Sequence, residues 1–323
     1  MKNKIYYWSP CLNPVGTIIS TINSASANGT VLIGINAGAS LTSGEGIVAI
    51  GQNSLANVTT GYYNTAVGDH AGVGITTGGS NVAIGRAALY NTTTGTDNTA
   101  VGKDAGAYVN GTATTAIGKE AGEYATGSYN TFVGDSAGHG GTTSAPYSSG
   151  TSNTAIGYQA LKGFTTGYNN VMVGNYTGDA ITTGESNTAL GYAALSAEDT
   201  GTRNVAIGNE ALKVLNYDGA GYNVAVGHRA GYSLTTGVWN TLLGSFAGYT
   251  LTTGGENAAL GYASLYHNVT GNYNTAIGRG AGARFLNSDS TAIGYYAGHY
   301  ASGSQNTFVG SKAGQGGTTS APY

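Results

Sequence analysis

The hydrophobic positions of this chain lie in short runs that end in glycine and recur at a regular spacing. The run Thr-Ala-Val-Gly at residues 99–102 is typical, and the equivalent glycines, here called frame glycines, follow one another from Gly34 to Gly310. Most steps between them are 17 residues, while four are 16, one is 23 and one is 19. A short period held over nearly the whole chain indicates a solenoid. The pattern predicts an all-β fold, a parallel β-solenoid (β-roll or β-helix) of about seventeen short coils.

Side chains within each run alternate between two faces. Thr99 and Val101 share one face, and we expect these β-branched columns to fill the interior of the coil. Ala100 lies on the other face, and alanine holds this central position in most coils. An alanine column predicts close approach of another backbone layer, either across a thin roll or from a neighbouring subunit. The candidate subunit-packing residues are Ala66, Ala83, Ala100, Ala116, Ala155, Ala189, Ala206 and Ala225.

Polar residues also recur in register with the frame glycines. An asparagine precedes most runs, as Asn64 and Asn81 do, and stacking of coils predicts that these side chains form a hydrogen-bonded ladder. A Thr-Thr-Gly phrase such as residues 76–78 closes many coils. Ranks of threonine on a flat face are typical of ice-binding surfaces. A turn-and-ladder role is favoured instead, because adjacent side chains of a strand point to opposite faces.

The chain divides into two regions. Residues 1–28 lack the repeat and are predicted to be an N-terminal cap or attachment segment, since an uncovered solenoid end is a bare strand edge. Residues 29–323 form the repeat array. Within it, residues 121–147 return as residues 297–323, so a block of coils is duplicated, with copies that end near 147 and 323.

Composition excludes several classes of protein. Glycine numbers 56 residues and charged residues supply only 8 %, with a net charge of −3 and no basic cluster, so nucleic-acid binding has no electrostatic support. No apolar run approaches the roughly 18 residues of a membrane span, so we expect no membrane insertion. The single Cys11 forms no internal disulfide. We expect neither a cofactor nor a metal ion.

The sequence gives no support for an enzyme. Residues 134–138 match the Gly-x-Ser-x-Gly nucleophile motif, but Ser136 occupies a slot that holds other residues in other coils. The five histidines are dispersed along the chain, and no pair of them has metal-ligand spacing. These residues are His70, His139, His228, His267 and His299.

Aromatic residues are the candidate surface contacts. The chain contains 24 tyrosines, many of them in coil turns. Such rings either stack on sugars while the phenol makes polar contacts, or pack over coil corners as hydrophobic ladders, which is the favoured alternative. The candidates are Tyr62, Tyr63, Tyr129, Tyr168, Tyr222, Trp239 and Tyr273.

The repeat also resembles known families. The phrase Asn-Thr-Ala-Ile-Gly at 153–157 and 274–278 resembles the head repeat of YadA-type trimeric adhesins, and the longer unit ending in Thr-Thr-Gly resembles repeats of phage tail fibre and bacterial tail-fibre-domain proteins. The resemblance implies a trimeric fibre shaft or receptor-binding segment. We therefore expect a structural, adhesive fibre subunit on a virion or extracellular appendage that binds a host-cell glycan. The alternatives are a head-to-tail homopolymer forming an extracellular filament, and an ice-binding solenoid.

Overall fold

The fold is a stack of three-residue strands. The computed structural model describes residues 29–141, 147–284 and 287–316, and the cap predicted for residues 1–28 lies outside them. The described residues form seventeen strands and no helix. The strands, numbered β1 to β17 in chain order, are Val31–Ile33, Val48–Ile50, Thr65–Val67, Val82–Ile84, Thr99–Val101, Thr115–Ile117, Thr131–Val133, Thr154–Ile156, Val171–Val173, Thr188–Leu190, Val205–Ile207, Val224–Val226, Thr241–Leu243, Ala258–Leu260, Thr275–Ile277, Thr291–Ile293 and Thr307–Val309.

Each strand pairs in parallel with the next strand along the chain. Equivalent residues of neighbouring strands are directly paired, without stagger. Thr99 pairs with Val82, and Ala100 pairs with Ala83. All seventeen strands therefore form one parallel sheet, and the predicted all-β solenoid with its 17-residue period is confirmed. At a strand spacing of about 4.8 Å the sheet is about 80 Å long.

Two glycine columns allow the coils to stack this closely. The frame glycine Gly102 has a φ of +138°, and a Cβ added to it would lie 2.4 Å from the carbonyl oxygen of Gly118 in the next coil. Glycine is required there for its backbone conformation and for its size. The corner glycine Gly78 has no positive φ, but an added Cβ would lie 2.3 Å from the oxygen of Gly95. Size alone requires glycine in this second column.

The interior of each coil lies on the alanine side of the strand. Ala100 is fully buried, whereas Thr99 and Val101 are partly exposed. The prediction that the β-branched columns fill the interior is therefore wrong. The turn of the coil packs against the central residue of the strand instead, since a Cβ added at Gly72 would lie 3.7 Å from the Cβ of Ala66.

The same burial corrects the predicted role of the alanine column. The chain itself covers the methyl groups, so they offer no surface to a neighbouring subunit, and the layer that approaches them lies across the thin roll. At most 1 % of each residue is exposed at Ala66, Ala83, Ala100, Ala116, Ala155, Ala189, Ala206 and Ala225.

Two positions across the roll, the strand centre and the residue six positions later, are never both large in the same coil. Where the strand centre is Ala83, the turn six residues later carries the buried Leu89. Where the centre is Phe132, the turn carries Gly138, and a Cβ there would lie 2.1 Å from the Phe132 ring. Where both positions are small, as at Ala66 and Gly72, a neighbouring coil fills the space: Leu55 reaches to within 2.8 Å of a Cβ added at Gly72.

Polar ladders run beside this core, and the asparagine ladder is confirmed. The Oδ1 atom of Asn64 accepts hydrogen bonds from the backbone nitrogen and from Nδ2 of Asn81, at 3.0 Å each. The Asn64 side chain in turn donates to the oxygen of Gly78 at 2.8 Å. Six Thr-Thr pairs of the described residues follow the turn-and-ladder interpretation, in which the first threonine donates to the next coil, as Thr59 Oγ1 does to the carbonyl oxygen of Thr76 at 3.2 Å.

One carboxyl group lies inside the stack, beside the insertion that follows residue 213. Glu198 is fully buried. Its Oε1 accepts a hydrogen bond from the backbone nitrogen of Gly201 at 2.8 Å, and its Oε2 accepts a longer one from that of Tyr217 at 3.4 Å. Burial raises its pKa to about 7, because the backbone donors of Gly201, Tyr217 and Asp199 only partly offset the loss of water, and the Asp199 carboxylate adds a second negative charge nearby.

Candidate functional site

The aromatic residues singled out from the sequence form one exposed edge of the solenoid, here called the strand-edge face. Each lies two or three residues before the strand, one or two residues before the ladder asparagine. Trp239 packs edge-on against Tyr222, with ring centroids 5.8 Å apart. All of the set are exposed, by between 41 % and 65 %; they are Tyr62, Tyr63, Tyr129, Tyr168, Tyr222, Trp239 and Tyr273.

Carboxylates accompany tyrosines on the strand-edge face. The Tyr63 hydroxyl donates to Glu45 Oε1 at 3.0 Å, and this hydrogen bond, together with the negative charge of Glu45, raises the pKa of Tyr63. Glu185 raises the pKa of Tyr168 in the same way. An aromatic plane beside carboxylate oxygens provides a stacking surface and hydrogen-bond acceptors for a polyhydroxylated ligand.

A second aromatic face was missed by the sequence analysis. It is formed by the first, second and fifth residues after each frame glycine, and we call it the turn face. Tyr232, Tyr249 and Tyr266 stack there in successive coils, with centroids 5.3 and 5.1 Å apart and planes within 20°. Arg229 lies over the Tyr232 ring at 5.4 Å. The spacing of 17 between these tyrosines was visible in the sequence.

Two depressions lie on the turn face. The larger has a volume of about 300 Å³ and a mixed charged and aromatic lining that includes Asp69, Arg86, Asp104 and Tyr108. The smaller, of about 130 Å³, is lined partly by Tyr262 and Tyr296.

Arginine and histidine line the smaller depression. The Arg279 guanidinium lies 5.6 Å from the ring centre of Tyr262 and 5.9 Å from that of Tyr296. Burial lowers the pKa of His267, and the positive charge of Arg284 lowers it further.

The outer surface of the sheet carries a third feature, an aliphatic column that we call the strand stripe. The third residue of each strand points outward there. Leu190 is 50 % exposed and Leu260 is 46 % exposed. The exposed members are Ile33, Ile84, Ile117, Ile156, Leu190, Leu260, Ile277, Ile293 and Val309. A contiguous apolar surface of this kind marks an interaction site more often than scattered apolar residues do.

The nucleophile-like motif has no catalytic geometry. Ser136 Oγ donates to its neighbour Asp135 at 2.7 Å, and among the described residues no hydrogen bond joins it to the histidine base that a triad uses.

Comparisons with family models, with curated proteins and with solved structures find no match to this chain. Within residues 29–141, 147–284 and 287–316 there is also no helix long and apolar enough to cross a membrane.

Proposed function

We propose that this chain is a structural and adhesive fibre subunit of a phage tail fibre or a similar surface appendage. The observation that carries the proposal is the in-register stack of seventeen parallel strands with aromatic faces along its length. Each inner strand is paired on both sides, which makes the stack stiff and leaves unpaired strand edges only at its ends. Such a rod suits a virion or an extracellular appendage, where it would hold binding groups away from an anchoring surface.

The strand stripe supports self-association into a homotrimer. Its side chains are aliphatic and face outward from the third residue of each strand. Packing against another copy of the chain would remove them from water. A coil of about seventeen residues has little core of its own, which adds to the gain from association. A head-to-tail homopolymer is the alternative, and it would use the ends of the stack in place of the stripe.

Light scattering at several concentrations distinguishes these assemblies. A trimer has a fixed mass of three chains, whereas a filament grows with concentration. Leu190→Lys combined with Leu260→Lys should reduce the trimer to single chains, while Thr183→Lys, at an exposed corner, should leave it intact. A trimer that survives the double lysine variant would refute a stripe-mediated interface.

The strand-edge face supports attachment to a host-cell glycan. Exposed rings with neighbouring carboxylates recur along the rod, so individually weak sugar contacts would add through avidity. A glycan array probed with the intact protein tests this. Tyr222→Ala with Trp239→Ala should lose binding, and Tyr232→Ala with Tyr249→Ala on the turn face is the matched control. An assembled protein that binds no glycan would leave only the structural role.

A further inference from the structure

Three metal-binding side chains converge on the turn face, although they are scattered in the sequence. Glu120 and Glu123 belong to the turn after β6, and His139 belongs to the turn of the next coil. Glu123 and His139 each lie five residues after a frame glycine, so the stack places one above the other. The three side chains can bring one ligand atom each to within 4.8 Å of one another.

The histidine is oriented to present a lone pair to this cluster. Its Nδ1 lies 3.1 Å from the carbonyl oxygen of Gly140. Since a carbonyl oxygen only accepts, Nδ1 carries the proton and donates. In the neutral ring Nε2 is then free to bind a metal ion. A backbone carbonyl holding the other ring nitrogen is the usual support of a metal-binding histidine.

The separation of the ligand atoms fits a shared ion. His139 Nε2 lies 3.5 Å from Glu123 Oε2. A direct charge-assisted hydrogen bond would bring these atoms to about 2.7–2.9 Å. Two ligand atoms about 2.1 Å from a tetrahedral Zn²⁺ ion lie about 3.4 Å apart, close to the observed distance.

A neighbouring aromatic ring holds the histidine in place. The Tyr124 ring packs edge-on against the His139 imidazole, with centroids 5.0 Å apart. Glu120 is paired with Lys119 at 3.0 Å, and the exposed lysine side chain is free to move away when a cation binds.

We propose that Glu120, Glu123 and His139 bind a divalent transition-metal ion of the Zn²⁺ type, with water completing the coordination. Imidazole nitrogen and carboxylate oxygen are established ligands of this ion. The ion would join two successive coils. A ligand set drawn from both coils exists only in the folded stack, so binding would stabilise it.

The duplicated block provides an internal comparison. Residues 121–147 return 176 positions later. The positions equivalent to Glu120, Glu123 and His139 there hold tyrosine, histidine and glutamine, namely Tyr296, His299 and Gln315. This set contains no carboxylate. We therefore expect one ion per chain.

The test is calorimetric titration of ZnCl₂ into the full-length, metal-free chain at about pH 7.5, where histidine is neutral. A Cys11→Ser background removes the one thiol that would compete for zinc. We expect one ion per chain. His139→Gln, which introduces the residue found at Gln315, and Glu123→Gln should each weaken binding at least tenfold. His228→Gln, elsewhere on the turn face, should leave the affinity unchanged.

Metal-free melting curves separate a lost ligand from a lost fold. The His139→Gln and His228→Gln proteins should melt at similar temperatures without zinc, and only the His228→Gln protein should melt higher when zinc is added. Absence of zinc binding by the parent protein would overturn the proposal. So would equal loss of affinity in the two histidine variants.

Discussion

The buried carboxyl of Glu198 makes the stability of the coil around it depend on pH. Its pKa is raised from 4.5 to about 7 in the folded chain. Between these values the folded state keeps a proton that the unfolded state has lost, so stability falls as pH rises. At about 1.36 kcal/mol per pH unit, the total loss is about 3 kcal/mol. It is absent below pH 4.5 and complete above about pH 7.

Glu198→Gln is the variant that tests this magnitude. A glutamine keeps an oxygen for the Gly201 nitrogen, which now donates to Glu198 at 2.8 Å, and it carries no charge at any pH. The stability of the variant should remain flat across the window in which the parent loses about 3 kcal/mol. Asp97→Asn, at an exposed turn residue, is the control and should follow the parent.

Hydrogen exchange of peptides covering residues 196–220 measures this effect locally. Repeat proteins do not always unfold in one step, so a global melting temperature alone is not sufficient. Parent and variant are compared at each pH, which cancels the intrinsic pH dependence of exchange. A difference in protection that stays constant from about pH 4.5 to pH 8 would refute the assignment of a raised pKa.

Three further substitutions and one control test the stacking of the coils by thermal and urea unfolding. Gly174→Ala places a Cβ 2.4 Å from the oxygen of Gly191 at a φ of +131°, and should lower the free energy of unfolding by at least about 2 kcal/mol. In the control Gly303→Ala the added Cβ meets only a flexible side chain at 3.2 Å, so the loss of stability should be smaller. Asn187→Ala removes side-chain hydrogen bonds to three residues, Asn170, Gly201 and Asn204, at about 1–3 kcal/mol for each group left unpaired. Phe132→Ala empties a fully buried site and should cost about 3–5 kcal/mol. Unchanged unfolding midpoints would contradict each of these expectations.

The sequence was sufficient to predict the coils but not which side of the strand faces inward. The period follows from glycines that the stack requires, so it is visible without coordinates. Alternation separates Ala100 from its neighbours without saying which face is inside. A large strand centre is always followed by glycine six residues later, as Phe132 is by Gly138, and a leucine at that turn position, such as Leu89, always accompanies an alanine centre. Two positions that are never large together must share the interior, and this pattern contained the missing information.

The missed features share one cause, which is that their residues meet across coils. Glu123 and His139 are 16 residues apart, one step of the repeat, and so they lack the short spacing by which metal sites are usually recognised. Glu198 reads as a loop residue in isolation. Aligned on the frame glycines, it occupies the position of the buried Leu215 and Leu234. Contacts in a solenoid are best sought along columns of the repeat.

Because the strands pair without stagger, the length of this rod can change in evolution by whole coils. Every strand meets its neighbours through the same pairing. Gain or loss of one coil would therefore change the length by about 4.8 Å and create no new kind of contact. The duplicated block, in which residues 121–147 and 297–323 correspond, records one such extension by many steps at once. The length of a chain built in this way is set by the number of coils that its gene encodes.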